Sequence, residues 1–455
     1  MLASYVILPE KSKGNIMAIN TKVLSGFMEL LPQEQIEFDR IKSLVESSFH
    51  KFGYTSLDTP VIERSEVLLA KGSAETDKQT YFVSNGMTGH KLGELALRFD
   101  LTVPLARYVA DHFNDLYFPF KRAHIGKSYR GERAQKGRFR EFYQCDIDVI
   151  GKDWLSLYYD AEMPYCVYKL FKEMDIGKFT IRINNRRVMN GFFEDLGLFE
   201  ASGKIMRIVD KAEKITEQEL VSAFEELGLS KPQIDSIMRF TSIKGDVDSV
   251  LDSLDSLKLK NEQFLLGLSE LKSVTEIMAQ MGTHKDFFVI DLSIARGLDY
   301  YTGTVYETTL DDNPIGSICG GGRYDDLAGH YISKKLPGVG VSIGLSRLFW
   351  QLREIGLLKF QKNTIADCII VPETPSCMGK AFEASNSLQE IGINTEIFYD
   401  DLPMKKRFQV LAKKDAPYTV VARENDFSFQ YKMDDKFVKE IVALDELVRR
   451  MKCKP

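Results

Sequence analysis

The sequence is short of the residues that most often announce a function. Its six cysteines, at positions 145, 166, 319, 368, 377 and 453, are scattered with no Cys-x-x-Cys pair, and its six histidines do not cluster. A structural zinc and a disulfide framework are therefore not expected, and the reducing cytoplasm is the expected compartment. Fourteen prolines and 32 glycines in 455 residues are too few for a linker-like chain. No apolar run approaches the roughly 18 residues of a membrane-spanning helix, so no membrane partner is expected. Positive charge is not in excess either. The net charge of −5 gives no global attraction to nucleic acid, so any such binding has to rest on a local basic patch. Residues 1–8 are apolar but lack a basic start and meet Pro9-Glu10-Lys11 at once, which is too short for a signal peptide. Met17 is a candidate natural start, because regular patterning begins only after it.

What is present is globular. Hydrophobic residues make up 44% and charged residues 27%, which excludes a disordered or fibrous chain. At about 100–200 residues per domain, the length predicts about two to four domains, each with its own core. Helical periodicity starts at Pro32 and places Ile41, Leu44, Val45, Phe49 and Phe52 on one face, with Gly53 as a stop. An extended reading follows over 54–62, ending at Glu63, then short strands over 79–83 and 94–99 and a helix over 103–113. Segments 121–130 and 138–150 read as two strands around a polar loop, followed by a helix near 155–174 and a strand over 179–184. This is strand-rich α+β, not a βαβ series. Between about 190 and 290 the texture turns helical and carries no catalytic-looking cluster. Strand-like, Gly-rich sequence resumes at Phe287 and runs to a helix near Leu345. Beyond a candidate linker at 360–365, strands alternate with helices to 422, which predicts a small α/β domain with a largely parallel sheet.

The most informative window is 121–140, where eight Lys and Arg residues stand against one acid, Glu132. A solvated basic surface is the bland alternative, and the alternation beyond the window argues against it. Even positions carry Arg138, Arg140, Phe142, Gln144, Asp146 and Asp148, whereas Phe139, Tyr143, Cys145, Ile147 and Val149 are odd, with Glu141 the exception. A period of two sends these sets to opposite faces of a strand. One face is then core, and the other lines a polar cleft running from cationic to acidic. Such a strip suits a polyphosphate at one end and a cationic or polar organic group at the other, with a ring stacked on Phe142 between them. Three further clusters are weaker alone. Arg296-Gly297-Leu298-Asp299-Tyr300-Tyr301 holds paired tyrosines that more often pack than react. Gly320-Gly321-Gly322-Arg323-Tyr324-Asp325 allows close backbone approach to a ligand or marks a turn. The stretch 338–348 reads as a strand turning into a helix, with Leu345, Leu348, Phe349 and Leu352 buried and Arg347 near the helix N-terminus, where an anion is favoured. Its Gly-x-Gly lacks the Rossmann spacing.

In this order the pieces resemble the class II aminoacyl-tRNA synthetases, and among them the histidyl branch. Residues 26–32, the helix after them and Thr59-Pro60-Val61-Ile62-Glu63 are similar to the class II dimer motif. Tyr129-Arg130-Gly131-Glu132-Arg133 through Gly151 resembles the second class motif, and 344–347 the third. Histidine specificity rests on Arg296-Gly297-Leu298-Asp299-Tyr300-Tyr301 and Gly321-Gly322-Arg323-Tyr324-Asp325, supported by Leu97-Arg98-Phe99-Asp100-Leu101-Thr102-Val103-Pro104. The likeness covers about residues 24–455.

The resemblance implies a fold, a reaction and a site. The fold is α+β: an antiparallel sheet flanked by helices over 24–190 and 289–360, a helical insertion at 191–288, and a C-terminal α/β anticodon-binding domain at 366–455. The reaction joins L-histidine to tRNA(His) with ATP and Mg2+, in a homodimer. Arg130 and Arg296 are the implied catalytic residues at the α-phosphate. Glu132 and Phe142 are implied to hold the adenine, Arg138 and Arg347 the outer phosphates. Asp100, Leu101, Thr102, Gln144, Asp148, Tyr300 and Tyr301 are implied to hold histidine, with Asp148 and Tyr301 on the imidazole. No metal ligands are implied. Ser346 stands where the family often has Glu, at an expected helix-surface position. Asp100 replaces a common Glu, and 421–426 match the usual C-terminal peptide only loosely. The alternatives are a catalytically inactive relative, either a regulatory subunit of histidine biosynthesis or a sensor of uncharged tRNA, and a plain ATP- or RNA-binding module. Regulatory subunits of that kind lack the C-terminal domain and degrade the arginine motifs, and both are present here.

Overall fold

A computed structural model of the chain describes residues 20–70, 74–84, 93–210, 212, 215–294, 301–312, 316–325, 328–360, 363–433 and 436–452. Met1, Met17, Arg296, Tyr300 and Cys453 lie outside the described residues. The strands, in chain order, are β1 (Thr55–Ser56), β2 (Ile62–Arg64), β3 (Phe82–Val83), β4 (Leu95–Leu97), β5 (Phe120–Tyr129), β6 (Glu141–Ile150), β7 (Phe179–Asn185) and β8 (Phe288–Ile290). They continue with β9 (Thr304–Leu310), β10 (Cys319–Tyr324), β11 (Gly338–Gly344), β12 (Cys368–Pro372), β13 (Thr395–Ile397), β14 (Tyr418–Ala422), β15 (Phe427–Met433) and β16 (Lys436–Val442). Eight of them form the main sheet in the order β1-β5-β6-β11-β10-β9-β7-β8. Its six middle strands are antiparallel, and the short edge strands β1 and β8 run parallel to their neighbours. A small sheet, β2-β4-β3, lies apart.

The helix Pro32–Lys51 forms as its sequence predicts. Proline takes the first turn, Glu34 accepts from the Leu31 N–H at 3.1 Å, and Phe38, Ile41, Val45 and Phe49 are buried. The helix Tyr158–Met174 buries Ala161, Met163, Val167, Leu170 and Phe171 in the same core. Two local expectations change. The extended reading over 54–63 gives only β1 and β2, and Gln79 closes the helix Ala74–Gln79, leaving Phe82–Val83 as the strand.

The helical segment after residue 186 does not build a core of its own. Phe224, Ile237, Val250, Leu268 and Leu271 belong to one buried cluster with Ile147, Ile181 and Val341 of the sheet. The helix Glu262–Met281 lies so close to the helix Arg186–Asp195 that a Cβ on Gly267 would stand 2.6 Å from the Val188 nitrogen. Glycine is required at that crossing.

The C-terminal sheet runs β13-β12-β14-β15-β16. The expectation of a largely parallel sheet holds only for β13, β12 and β14, because β15 and β16 add as an antiparallel meander. Alternation along β12 explains its burial on both faces. Cys368 and Ile370 face the helices Met378–Glu390 and Leu444–Lys452, while Ile369 and Val371 face Phe398 and Leu411. Among the described residues no helix is long and apolar enough to cross a membrane.

Candidate active site

The site is built on β6, between β5 and β11. Register places its even residues in cross-strand rows: Ser128 opposite Phe142, then Gly126–Gln144–Gly344, His124–Asp146–Ser342 and Arg122–Asp148–Gly340. The odd residues Cys145, Ile147 and Val149 are fully buried in the opposite face. Two cavities follow the even face. An outer cleft of about 360 Å³ is lined by Arg130, Glu132, Arg138, Phe142 and Arg347. An inner cavity of about 70 Å³ is lined by Asp100, Thr102, Asp146, Asp148 and Tyr324. Arg130, Gln144, Tyr301 and Ser342 line both, so the two adjoin.

The outer cleft is cationic and held by its own backbone. The Arg130 guanidinium lies 4.5 Å from the centre of the Phe99 ring and 5.1 Å from that of Phe142, and its Nε donates to the Phe99 carbonyl at 3.2 Å. Arg138 faces Glu132 at 3.4 Å. Arg347 opens the helix Leu345–Glu354 and donates to the carbonyls of Gly137 and Ser317, both at 3.0 Å. It thereby ties the loop between β5 and β6 to the segment that leads into β10.

The inner cavity is acidic, and its carboxylates have different partners. Asp100 Oδ1 accepts the N–H groups of Thr102 and Val103 at 3.0 and 2.9 Å, capping the helix Thr102–Asp111. Asp148 Oδ2 meets Arg122 Nη1 at 2.6 Å, and its Oδ1 accepts from the Tyr324 hydroxyl at 2.8 Å. Arg122 has no exposed side-chain surface; it also donates to the Leu101 carbonyl at 2.7 Å. Its Nη2 lies 3.0 Å from His124 Nδ1, while His124 Nε2 reaches Asp58 at 2.7 Å. Burial, with the guanidiniums of Arg122 and Arg98, pushes the His124 pKa down to about 3, so the ring is neutral. Nδ1 then accepts and Nε2–H donates. Burial raises the Asp148 carboxyl, and the Arg122 guanidinium opposes that rise. Gly340 is fixed by the same packing: a Cβ there would stand 2.1 Å from Asp148 Oδ1.

The structure brings together Asp100, Thr102, Arg130, Glu132, Arg138, Phe142, Gln144, Asp148, Tyr301 and Arg347. Three expectations need correction. Leu101 does not line either cavity; its side chain is fully buried, and only its carbonyl serves the site, through Arg122. Arg140 precedes the strand, which begins at Glu141, so the alternation does not reach it; its Nε donates to the Glu132 carbonyl at 3.0 Å. Ser346 is not on the helix surface. It is 1% exposed, and its hydroxyl accepts from the Tyr143 N–H at 2.9 Å, joining the helix to β6.

Sequence reasoning missed Arg122 and His124 as parts of the site, and it named Tyr324 only within a motif, with no role of its own. Arg122 enters the sequence reading only as one of eight basic residues in 121–140, yet it sits at the acidic end, paired with Asp148. Applying the same period of two to β5, and pairing it with β6, is the signal that finds it.

The histidyl-tRNA synthetase family model matches residues 26–348. A histidine–tRNA ligase of Clostridium tetani is 46% identical over 440 residues, covering 95% of this chain and 98% of that protein. The chain belongs to the histidyl-tRNA synthetase family. The crystal structure of a histidyl-tRNA synthetase from Nostoc sp. PCC 7120 shares this fold with a TM-score of 0.86 and 39% identity, over 96% of this chain and 99% of that one. An ATP phosphoribosyltransferase regulatory subunit/histidyl-tRNA synthetase from Bacillus halodurans shares the fold alone, at 20% identity and a TM-score of 0.72, over 86% of this chain and 96% of that one. The regulatory alternative is not favoured by these likenesses.

Proposed function

We propose that the chain is a histidine–tRNA ligase, which activates L-histidine with ATP and transfers it to the 3′ end of tRNA(His). The observation that carries this reading is one strand face that runs from the arginines of the outer cleft to the carboxylates of the inner cavity. ATP lies in the outer cleft, with adenine at Phe142 and Glu132 and the outer phosphates between Arg138 and Arg347. Histidine lies inward, its ammonium group at Asp100, Thr102 and Gln144 and its imidazole toward Asp148 and Tyr301. Its carboxylate attacks the α-phosphorus, and the bond to the bridging oxygen of pyrophosphate breaks. A 3′-terminal hydroxyl of the tRNA then attacks the activated carbonyl carbon and displaces AMP. No side-chain nucleophile is needed. Arg130 and Arg296 stabilise charge that develops on the α-phosphate, and positioning does the rest. Tyr300 precedes Tyr301 at the histidine end.

Mg2+ enters as the counter-ion of the ATP phosphates. Such an ion is held mainly by phosphate and water rather than by a dedicated protein cage. The C-terminal sheet contacts the anticodon, and the scattered, unpaired cysteines suit a cytoplasmic enzyme. Radiolabelled histidine should appear on tRNA(His) only when ATP is present. A chain that forms the adenylate yet charges no tRNA would contradict the second half of the reading.

A homodimer completes the proposal. Leu24, Leu31, Val61, Ile62 and Phe82 remain exposed at and near the stretch that resembles the class II dimer motif. Exposed apolar residues concentrated in one region mark interaction surfaces. Light scattering at micromolar concentration should give about twice the chain mass of 51.8 kDa; an active monomer would contradict the dimer.

A further inference from the structure

We propose that Arg187 is a positioning residue for histidine activation, one that couples the helix Glu262–Met281 to the tyrosine-bearing segment 301–303. The inference rests on the histidine-activating reading above and goes beyond it, because Arg187 lines neither cavity. Arg187 stands in the first turn of the helix Arg186–Asp195, between two carboxylates from distant parts of the chain. On one side its Nε lies 3.4 Å from Glu270 Oε2, on the helix Glu262–Met281. On the other its Nη2 lies 3.4 Å from Asp325 Oδ2, just beyond β10. Asp325 Oδ2 also accepts from the Thr302 hydroxyl at 2.7 Å. Thr302 follows Tyr301, which lines both cavities. Glu270, Arg187, Asp325 and Thr302 thus form one path from that helix to the cleft wall.

Close packing sets the far end of the path. Gly267 precedes Glu270 by three residues, on the same helix face, and a Cβ on it would stand 2.8 Å from Arg187 Cβ. With no side chain at 267, Glu270 comes down onto the start of the neighbouring helix. It accepts from Asn185 Nδ2 at 2.9 Å, and Asn185 caps that helix by accepting the Arg187 N–H at 2.9 Å.

At the cleft end, backbone supplies part of the hold. The Thr302 N–H donates to the Arg323 carbonyl and the Arg186 N–H to the Gly303 carbonyl, both at 2.8 Å. Those bonds fix the chain but not the Asp325 carboxylate. Arg323 is committed to Asp160, at 3.0 Å, and its Nη1 stays 3.9 Å from Asp325 Oδ1. The Asp325 side chain is 30% exposed, so it can turn to water unless a cation holds it against Thr302. Arg187 is the closer cation. Its planar fork reaches both carboxylates at once, which the point charge of a lysine does not.

ATP–pyrophosphate exchange by Arg187→Met, Thr302→Val and the double variant tests this. Arg187→Met should lower kcat/KM for histidine about 5–20-fold, a fraction of the value of a charged hydrogen bond because the effect is indirect. The KM for ATP should change less than about twofold. Thr302→Val should also lower kcat/KM for histidine, and the double variant should lose no more than the worse single one, because both act through one carboxylate. Glu270→Gln should give a smaller loss in the same direction. A purely structural Arg187 would lower the melting temperature without this histidine-selective coupling. Wild-type kcat/KM in Arg187→Met, multiplying losses in the double variant, or equal weakening of histidine and ATP would overturn the proposal. Wild-type kinetics in Glu270→Gln would overturn the link to the helix Glu262–Met281. Arg187→Lys decides the matter if methionine prevents folding: an intermediate loss of histidine kcat/KM supports the proposal, and wild-type kinetics overturns it. Absence of histidine-dependent exchange in the wild-type protein would instead contradict the functional reading itself.

Discussion

Arg122→Met is expected to destabilise the protein by about 3–5 kcal/mol and to abolish measurable histidine binding. Removing one member of a fully buried ion pair leaves the other charge without compensation, and that cost is much larger than the net value of the pair. Here three acceptors lose a donor at once: Asp148 Oδ2, the Leu101 carbonyl and His124 Nδ1. Methionine approximates the volume of the side chain, so the deficit is electrostatic and not a cavity. The second variant in a cycle is Asp148→Asn. Because the two residues share one interaction, their effects should not add. The double variant should be more stable than the sum of the single losses predicts, but it should still fail to bind histidine. Chemical denaturation of the four proteins measures this. A single-variant loss below about 1 kcal/mol, or strict additivity, would mean that the pair contributes little.

Arg296→Ala should lower kcat for adenylate formation by about 10²–10³ while leaving ATP affinity nearly intact. A guanidinium beside the reacting carboxylate and α-phosphate acts on charge that appears only in the transition state. Arg296 itself lies outside the described residues, but both sides of its segment are anchored. The Ile294 carbonyl accepts from Asn184 Nδ2 at 3.0 Å, and Tyr301 lines both cavities. Steady-state exchange kinetics separate the possibilities. Normal kcat with a raised KM for histidine would assign Arg296 to ground-state binding instead.

Much of this was legible because the chemistry sits on a strand. A period of two made the even face of β6 readable as a continuous ligand strip, and burial of Cys145, Ile147 and Val149 on the other face agrees. The helix Pro32–Lys51 was equally plain, from its first-turn proline and the spacing of Ile41, Val45 and Phe49. What escaped was lateral. Arg122 and His124 belong to β5, and only the register of β5 against β6 tells that they meet Asp148 and Asp146. Tyr324 reaches Asp148 across β11, a contact no sequence interval indicates. The same limit applies to Ser346, which looked like a helix-surface residue until the fold set β6 against that helix. The antiparallel meander of β15 and β16 escaped for another reason: its strands carry charged residues among apolar ones and follow a loosely matching motif.

The central claim is that one strand face joins a phosphate cleft to a histidine pocket in a working ligase. ATP–pyrophosphate exchange, run without tRNA and with each of the common amino acids in turn, tests it most directly. Exchange should depend on histidine and on no other amino acid at comparable concentration. ATP binding without exchange for any amino acid, or exchange driven by a different one, would contradict the account.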